Sequence, residues 1–265
     1  MSHPSVKITF LGTGTSTGVP MIACPCAVCA STDPRDKRLR SSILIQSAST
    51  TLVVDTTPDF RYQMLRAGIR RLDAVVYTHP HKDHLAGLDD VRAYNFFQRR
   101  AMPLYANGMT QETIVREFPY AFADTKYPGI PELQLHHIDK EPFTIGDITL
   151  TPIQVWHMKM PVLGFRVGDF TYITDANRIE DSERRKIHGS RRIVLNALRH
   201  EKHLSHFTLK EAIAEVDELG VPRAWFTHIS HQLGKHADVE PTLPAHRHLA
   251  YDGLVLHEDP LFAFD

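Results

Sequence analysis

The chain has 265 residues, 42% hydrophobic and 23% charged, the make-up of a globular protein long enough to bury its own core without disulfides or obligate partners. Thirty Lys and Arg against 31 Asp and Glu leave a net charge of −1, so no overall field draws it to nucleic acid or an anionic membrane. No apolar run approaches the roughly 20 residues that cross a bilayer, and the surplus lies in 17 His beside only three Cys. The start MSHPSVKITFLGTG lacks the basic-then-apolar build of a secretory signal, and an odd cysteine count cannot complete a disulfide framework, so a reducing cytoplasm is the expected compartment. Without linkers, charge blocks or repeats, one continuous domain over residues 1–265 is expected.

In chain order, seven short β-branched or aromatic runs each stop at a polar or ionisable residue. VKITFLG ends at Thr13, TLVV at Asp55, AVVYT at His79, LTPIQVW at His157, TYIT at Asp175, IVL at Asn196 and RAWFT at His228. Such runs read as buried strands. Helical periodicity falls between them, over Asp59–Ala67, Leu88–Gln98, Thr110–Phe118, Ile179–Lys186 and Leu209–Leu219. Strands mixed with helices predict an α/β fold of sheets covered by helices, and the short gaps joining TLTPIQV, GFRVG and TYIT predict hairpins and mixed sheets. Ligands in such folds gather where strands end, which would bring Asp55, His79, His157, Asp175 and His228 to one edge. Any one of them alone could be an ordinary strand-end polar residue; five together, three of them histidine, argue for a site.

The densest cluster, Thr78-His79-Pro80-His81-Lys82-Asp83-His84, sets four potential metal ligands within six residues directly after a strand. In extended backbone alternate side chains share a face, so His79 and His81 can grip one ion. Asp83 and His84 follow at the turn into a helix, placed to serve a second. Imidazole and carboxylate together suit zinc, manganese or iron. This block resembles the HxHxDH signature of the metallo-β-lactamase-fold superfamily. The resemblance implies an αββα sandwich, two mixed β-sheets flanked by helices, and a dinuclear centre. It also implies that His157 is the third histidine of the first site, Asp175 the bridging carboxylate and His228 the last ligand of the second. Two ions carry about four positive charges, which Asp83 and Asp175 would help neutralise, making Asp83 part of the catalytic centre as well as a ligand. Such a pair can ionise a water near neutral pH, so hydrolysis is the expected reaction class. Asp55 either orients a ligand histidine or simply caps its strand.

The cysteines form Cys24-Pro25-Cys26-Ala27-Val28-Cys29, after the glycine-punctuated stretch Gly12 to Pro20. Three close thiolates need a fourth donor, and a closed Cys3His zinc site would staple an N-terminal loop, about residues 12–40, that has little apolar content. His231 is the candidate fourth ligand; a metal-free cysteine loop is the alternative. GTGTSTG lacks the spacing and the Lys-Ser/Thr ending of a phosphate cradle and reads as a turn into the loop.

GTGTSTGVP with C-x-C-x-x-C, THPHKDHLAGLDD and FTHISHQ, spanning Ile8 to Gly253, resembles one branch of the superfamily, the PhnP-type phosphodiesterases that open phosphoribosyl cyclic phosphate. That branch implies a structural zinc completed by the second histidine of THISH, which His231 matches, and a homodimer. It implies a further histidine beside the substrate phosphate: His206 is the best match, His203 the alternate, with Arg199 able to pair with a phosphate. His206 could also be a helix cap or a surface residue. Asn196 stands where relatives often carry aspartate, and the pocket suggested by Met158, Lys159, Phe96 and Phe97 matches no known member. The expected function is therefore a phosphodiesterase with two active-site ions (Zn or Mn) and one structural Zn, acting on a small cyclic or nucleotide-like phosphodiester. The alternatives are an RNA-processing nuclease of the same fold, a hydrolase of thioesters or lactams, and a non-catalytic metal-binding relative serving cofactor biosynthesis. A nuclease would need a basic arm; the longest candidate insertion, Asn107–Ile130, carries only Arg116 and Lys126.

Overall fold

The structure is a computed structural model that describes residues 5–124 and 128–257; Lys126 and His3 lie outside the described residues. Strands in chain order are β1 (Lys7–Gly12), β2 (Ser42–Gln46), β3 (Thr51–Val54), β4 (Ala74–Val76), β5 (Met102–Ala106), β6 (Leu133–His137), β7 (Phe143–Ile145), β8 (Ile148–His157), β9 (Met160–Val167), β10 (Phe170–Tyr172), β11 (Arg178–Ile179), β12 (Arg192–Asn196), β13 (Arg223–Thr227), β14 (Arg247–Leu249) and β15 (Val255–Leu256). Helices are α1 (Phe60–Arg66), α2 (Lys82–Leu85), α3 (Arg92–Gln98), α4 (Gly108–Glu117), α5 (Asp181–Ile187), α6 (Leu209–Leu219) and α7 (His236–Val239).

One sheet runs β15-β1-β2-β3-β4-β5-β6 and the other β11-β8-β9-β10-β12-β13-β14, with β7 paired to β8. Both are mixed: β8, β9 and β10 are antiparallel neighbours, whereas β12 and β13 run parallel. Alternation along the strands explains the layering. Ile43, Ile45, Leu52, Val54, Ala74 and Val76 face the space between the sheets, where they meet Leu163, Phe165 and Val194 of the second sheet. Their neighbours Leu44, Val53 and Val75 point the other way, into a core with Phe60, Met64 and Ile114 from α1 and α4. On the far side Ile193 and Leu195 pack against Ile187 of α5 and Leu209, Ala212 and Val216 of α6. Strands buried on both faces read as continuous apolar runs, and two sheets each covered by helices give the αββα sandwich.

All seven strand readings are strands in the structure. SILIQ, now β2, escaped because it ends in no ionisable residue. The helix expected over Leu88–Gln98 begins instead as a 3-10 turn over Leu88–Val91, and the α-form starts at Arg92. The one expected from Ile179 starts at Asp181, because Ile179 is consumed in β11. α6 matches its expected span since both ends are signalled: Thr208 and Glu211 form a capping box and Gly220 closes it at φ 67°. Among the described residues no helix is long and apolar enough to cross a membrane.

Candidate metal centre

The ends of β3, β4, β8, β10 and β13 deliver Asp55, His79, His157, Asp175 and His228. Asp55, Asp175 and His228 take left-handed backbone at φ 67°, 53° and 56°. That conformation costs a non-glycine residue about 1–2 kcal/mol, and the contacts of the site hold it in place. α2 follows His81 and carries Asp83 and His84. The turn after it requires Gly87, where a Cβ would sit 2.0 Å from the Thr57 carbonyl oxygen.

The rings of His79 and His81 are 4.7 Å apart, those of His81 and His157 5.2 Å, and those of His79 and His157 6.0 Å. Beside them, ligand atoms of Asp83, His84, Asp175 and His228 lie within 4.8 Å of one another, as do those of His157, Asp175 and His206. Asp175 therefore belongs to both groups. Its Oδ2 lies 3.2 Å from His84 Nε2 and 3.2 Å from His228 Nδ1, while its Oδ1 is 3.9 Å from His206 Nδ1. His206, rather than His79 or His81, completes the tight group around His157 and Asp175.

Hydrogen bonds select the tautomers. Asp55, fully buried, accepts from the Thr78 N–H at 2.9 Å, the Thr78 hydroxyl at 2.8 Å and His84 Nδ1–H at 2.7 Å. With its proton given to Asp55, the Thr78 oxygen accepts from His79 Nδ1–H at 2.9 Å. His157 Nδ1–H donates to the Ser205 carbonyl at 2.9 Å. Each of these rings thus turns Nε2 to the chamber. His79 Nε2, His84 Nε2, His206 Nδ1 and His228 Nδ1 are buried and make no hydrogen bond among the described residues. Buried polar atoms without partners are uncommon, and several imidazole lone pairs converging on carboxylates fit a cation-binding chamber. Of the two roles open to Asp55, the structure gives it the orienting one.

Charge tells the same story. Burial opposes a proton on His84, yet Asp83, Asp175 and Asp55 together hold its pKa well above the ordinary imidazole range. Burial pushes Asp175 up, but His228 and His84 bring it well below the usual carboxylate range. A proton on His84 stands where a cation would. Burial, with His84 adding to it, keeps His79 well below its ordinary value, as a neutral ligand must be.

His206 is buried and does not cap α6, whose N-cap is Thr208. Burial and the neighbouring His228 lower its pKa to about 3. A neutral imidazole offers one donor and one acceptor nitrogen, so His206 can give one hydrogen bond while its other nitrogen accepts one. His203 lies next to it, ring to ring at 5.2 Å. Arg199 is committed to Gln232 and to the carbonyls of Glu201 and Lys202. Asn196, which carried no assigned role in the sequence, accepts from Ala176 N–H at 2.7 Å and donates to Ala176 O at 2.9 Å, gripping the residue after Asp175 from both sides. Met158 is an exposed, left-handed residue at the β8–β9 turn. Phe96 and Phe97 are 77% and 79% exposed on α3. Phe97 lines a groove of about 590 Å³ with Phe60, Met64 and Tyr94, and that groove includes none of the metal-site residues.

Cys24, Cys26, Cys29 and His231 come together at a second corner. Sγ of Cys24 and Cys26 lie 3.4 and 3.3 Å from His231 Nδ1, and Cys29 joins the same group of ligand atoms. The Cys29 backbone N–H and His231 draw the Cys26 thiol down to about 6, whereas burial pushes Cys29 up to about 11. Four donors at this separation fit a closed tetrahedral zinc. The glycine run is a turn: a Cβ on Gly12 would meet the Arg40 carbonyl oxygen at 1.9 Å, and Gly14 bridges to Arg40 and Ile229.

Residues 50–229 match the family model described as a beta-lactamase superfamily domain. The chain belongs to that superfamily. A crystal structure described as a new diphosphatase from the PhnP family superposes with a TM-score of 0.90 at 40% identity, over 96% of this chain and 97% of that one. Zinc-bound PqqB from Methylobacterium extorquens superposes at 0.73 with 20% identity, covering 94% and 99%, a likeness of fold. An octanoyltransferase of Porphyromonas gingivalis is 39% identical over 252 residues, 94% of this chain but 51% of that protein. This superfamily member spans about half the length, or less, of the curated relatives it matches.

Proposed function

We propose that the chain is a dinuclear-metal-dependent hydrolase that cleaves a small cyclic or nucleotide-like phosphodiester. The observations that carry this are the two ligand groups sharing Asp175 and the rings of His79 and His81 set 6.0 and 5.2 Å from that of His157. His79, His81 and His157 would hold one ion, Asp83, His84 and His228 the other, with Asp175 between them; Cys24, Cys26, Cys29 and His231 would hold a structural zinc. Two divalent ions held there, zinc or manganese, would supply an activated water and charge neutralisation at a phosphoryl oxygen. The chain's own part is to orient and to exclude. Asp55, Thr78 and the Ser205 carbonyl hold the ring tautomers, the buried strand ends keep bulk water off the shared carboxylate, and His206, 3.9 Å from Asp175 Oδ1, would give its hydrogen bond to a phosphate oxygen or to the departing sugar oxygen.

The 40% identical diphosphatase supports a second reading, cleavage of a phosphoric anhydride by the same residues. An RNA-processing role is less favoured, because α4 in the candidate insertion is capped by Asn107 and packs Ile114 into the core instead of projecting. We also infer a homodimer, for which Tyr62, Leu65, Phe96 and Phe97 on α1 and α3 offer exposed apolar surface.

Metal analysis should find about three ions per chain, of which mild chelation removes about two; a total of one would sink the dinuclear scheme. His81 is exposed, so His81→Ala should abolish hydrolysis of bis(p-nitrophenyl) phosphate without unfolding the chain. A screen of cyclic phosphodiesters, nucleoside diphosphate esters and short RNA then assigns the substrate class.

A further inference from the structure

We propose that Thr15, in the glycine-rich turn, is a positioning residue of the metal centre, and that the cysteine corner is the strut that keeps it in place. The inference rests on the dinuclear reading of the site. His79, His84 and His157 are each held at Nδ1, by Thr78, Asp55 and the Ser205 carbonyl, and turn Nε2 to the chamber. His228 is reversed. Its Nδ1 faces Asp175 Oδ2 at 3.2 Å without a hydrogen bond, and its Nε2 meets Thr15 Oγ1 at 3.3 Å in the buried interior. A lone pair at Nδ1 requires the proton at Nε2, and the Thr15 oxygen is the acceptor that keeps it there.

Thr15 and His228 are 213 residues apart, and two backbone bonds bring them together. Thr15 N–H donates to the Ile229 carbonyl at 3.1 Å, and Ile229 N–H donates to the Thr13 carbonyl at 2.9 Å. This clamp joins the turn to the residue directly after His228. Farther along the same two segments, Cys24, Cys26 and Cys29 close on His231. The two segments are therefore tied twice, once by backbone and once by the corner. Between the ties the loop has little core of its own: Val19 is buried, whereas Ile22 is 91% exposed. With few apolar contacts to resist fraying, the corner supplies the constraint that packing would supply elsewhere.

The test compares Thr15→Val, which keeps the shape and removes the acceptor, with Thr15→Ser, which keeps the hydroxyl. Two-bond 15N–1H spectra of the imidazoles, recorded on the full chain after mild chelation, report the His228 tautomer; calorimetric titration with zinc reports the affinity of the active-site ions. Thr15→Val should turn a single Nε2–H form of His228 into a mixture and weaken the second ion about tenfold, and Thr15→Ser should restore both. Cys24→Ser should move the His228 signal in the same direction. A Thr15→Val protein whose His228 keeps the wild-type tautomer overturns the proposal, whatever metal it binds. A wild-type chain that takes no active-site ion overturns the dinuclear reading instead, and the tautomer spectra then decide the part of Thr15 by themselves.

Discussion

Replacing one oxygen of Asp55 by an amide nitrogen should reverse two hydrogen-bond relays at once. In Asp55→Asn, Oδ1 keeps the Thr78 N–H, but the new NH2 faces the Thr78 hydroxyl and His84 Nδ1, both of which donate to Asp55 in the wild type. Two donors now oppose two donors. The least costly answer is for His84 to move its proton to Nε2, and for Thr78 to accept from the amide and donate to His79 Nδ1, which moves that ring's proton to Nε2 as well. Both rings then present N–H bonds where the chamber needs lone pairs. Loss of a partner that orients a ligand typically costs 10- to 100-fold in metal affinity, about 1.4–2.7 kcal/mol, and with two rings affected the upper end is expected. Calorimetric titration of zinc into the chelated variant measures it, with hydrolysis of bis(p-nitrophenyl) phosphate falling in parallel and circular dichroism checking the fold. Zinc affinity within about twofold of wild type would refute the claim that Asp55 sets the tautomers.

Two further outcomes follow from packing and from charge. Gly87→Ala would press a Cβ to 2.0 Å from the Thr57 carbonyl oxygen and 2.8 Å from the Phe60 Cβ, so overpacking should cost about 1–3 kcal/mol, read as a lower Tm with metal content retained in the folded fraction. The pH dependence of stability should differ between metal-free and loaded protein. Because the folded-state pKa of His84 lies above its ordinary 6.5, its stabilising proton is fully present below about 6.5 and is lost as pH rises through the folded value. Chelated protein should therefore lose thermal stability from pH 6.5 upward, while loaded protein, with a cation in place of that proton, should not; parallel curves for the two would contradict this account.

Much of the site is legible in the sequence because its logic is local. The extended stretch between β4 and α2 keeps the rings of His79 and His81 4.7 Å apart, the short helix that follows carries Asp83 and His84, and the C-x-C-x-x-C spacing keeps three sulfurs close in the chain. The ionisable punctuation of strands marks Asp55, His157, Asp175 and His228 for the same reason: a buried apolar strand ends where polar groups become affordable. What periodicity states is the face a side chain takes, and not which distant strand end it will meet. The sharing of Asp175 between two groups, the inclusion of His206 in the tighter one, and the grip of Asn196 on Ala176 all depend on how β8, β10, β12 and β13 stack in register. Phe97 shows the converse: once α1 and α3 come together it lines a groove that holds none of the metal-site residues. The two choices for Asp55, orienting or capping, differ only by the position of a ring 29 residues away, and the contact between Thr15 and His228 spans nearly the whole chain. Hydrogen bonds act over about 3 Å, so these assignments exist only after the sandwich has closed and set the strand ends against one another.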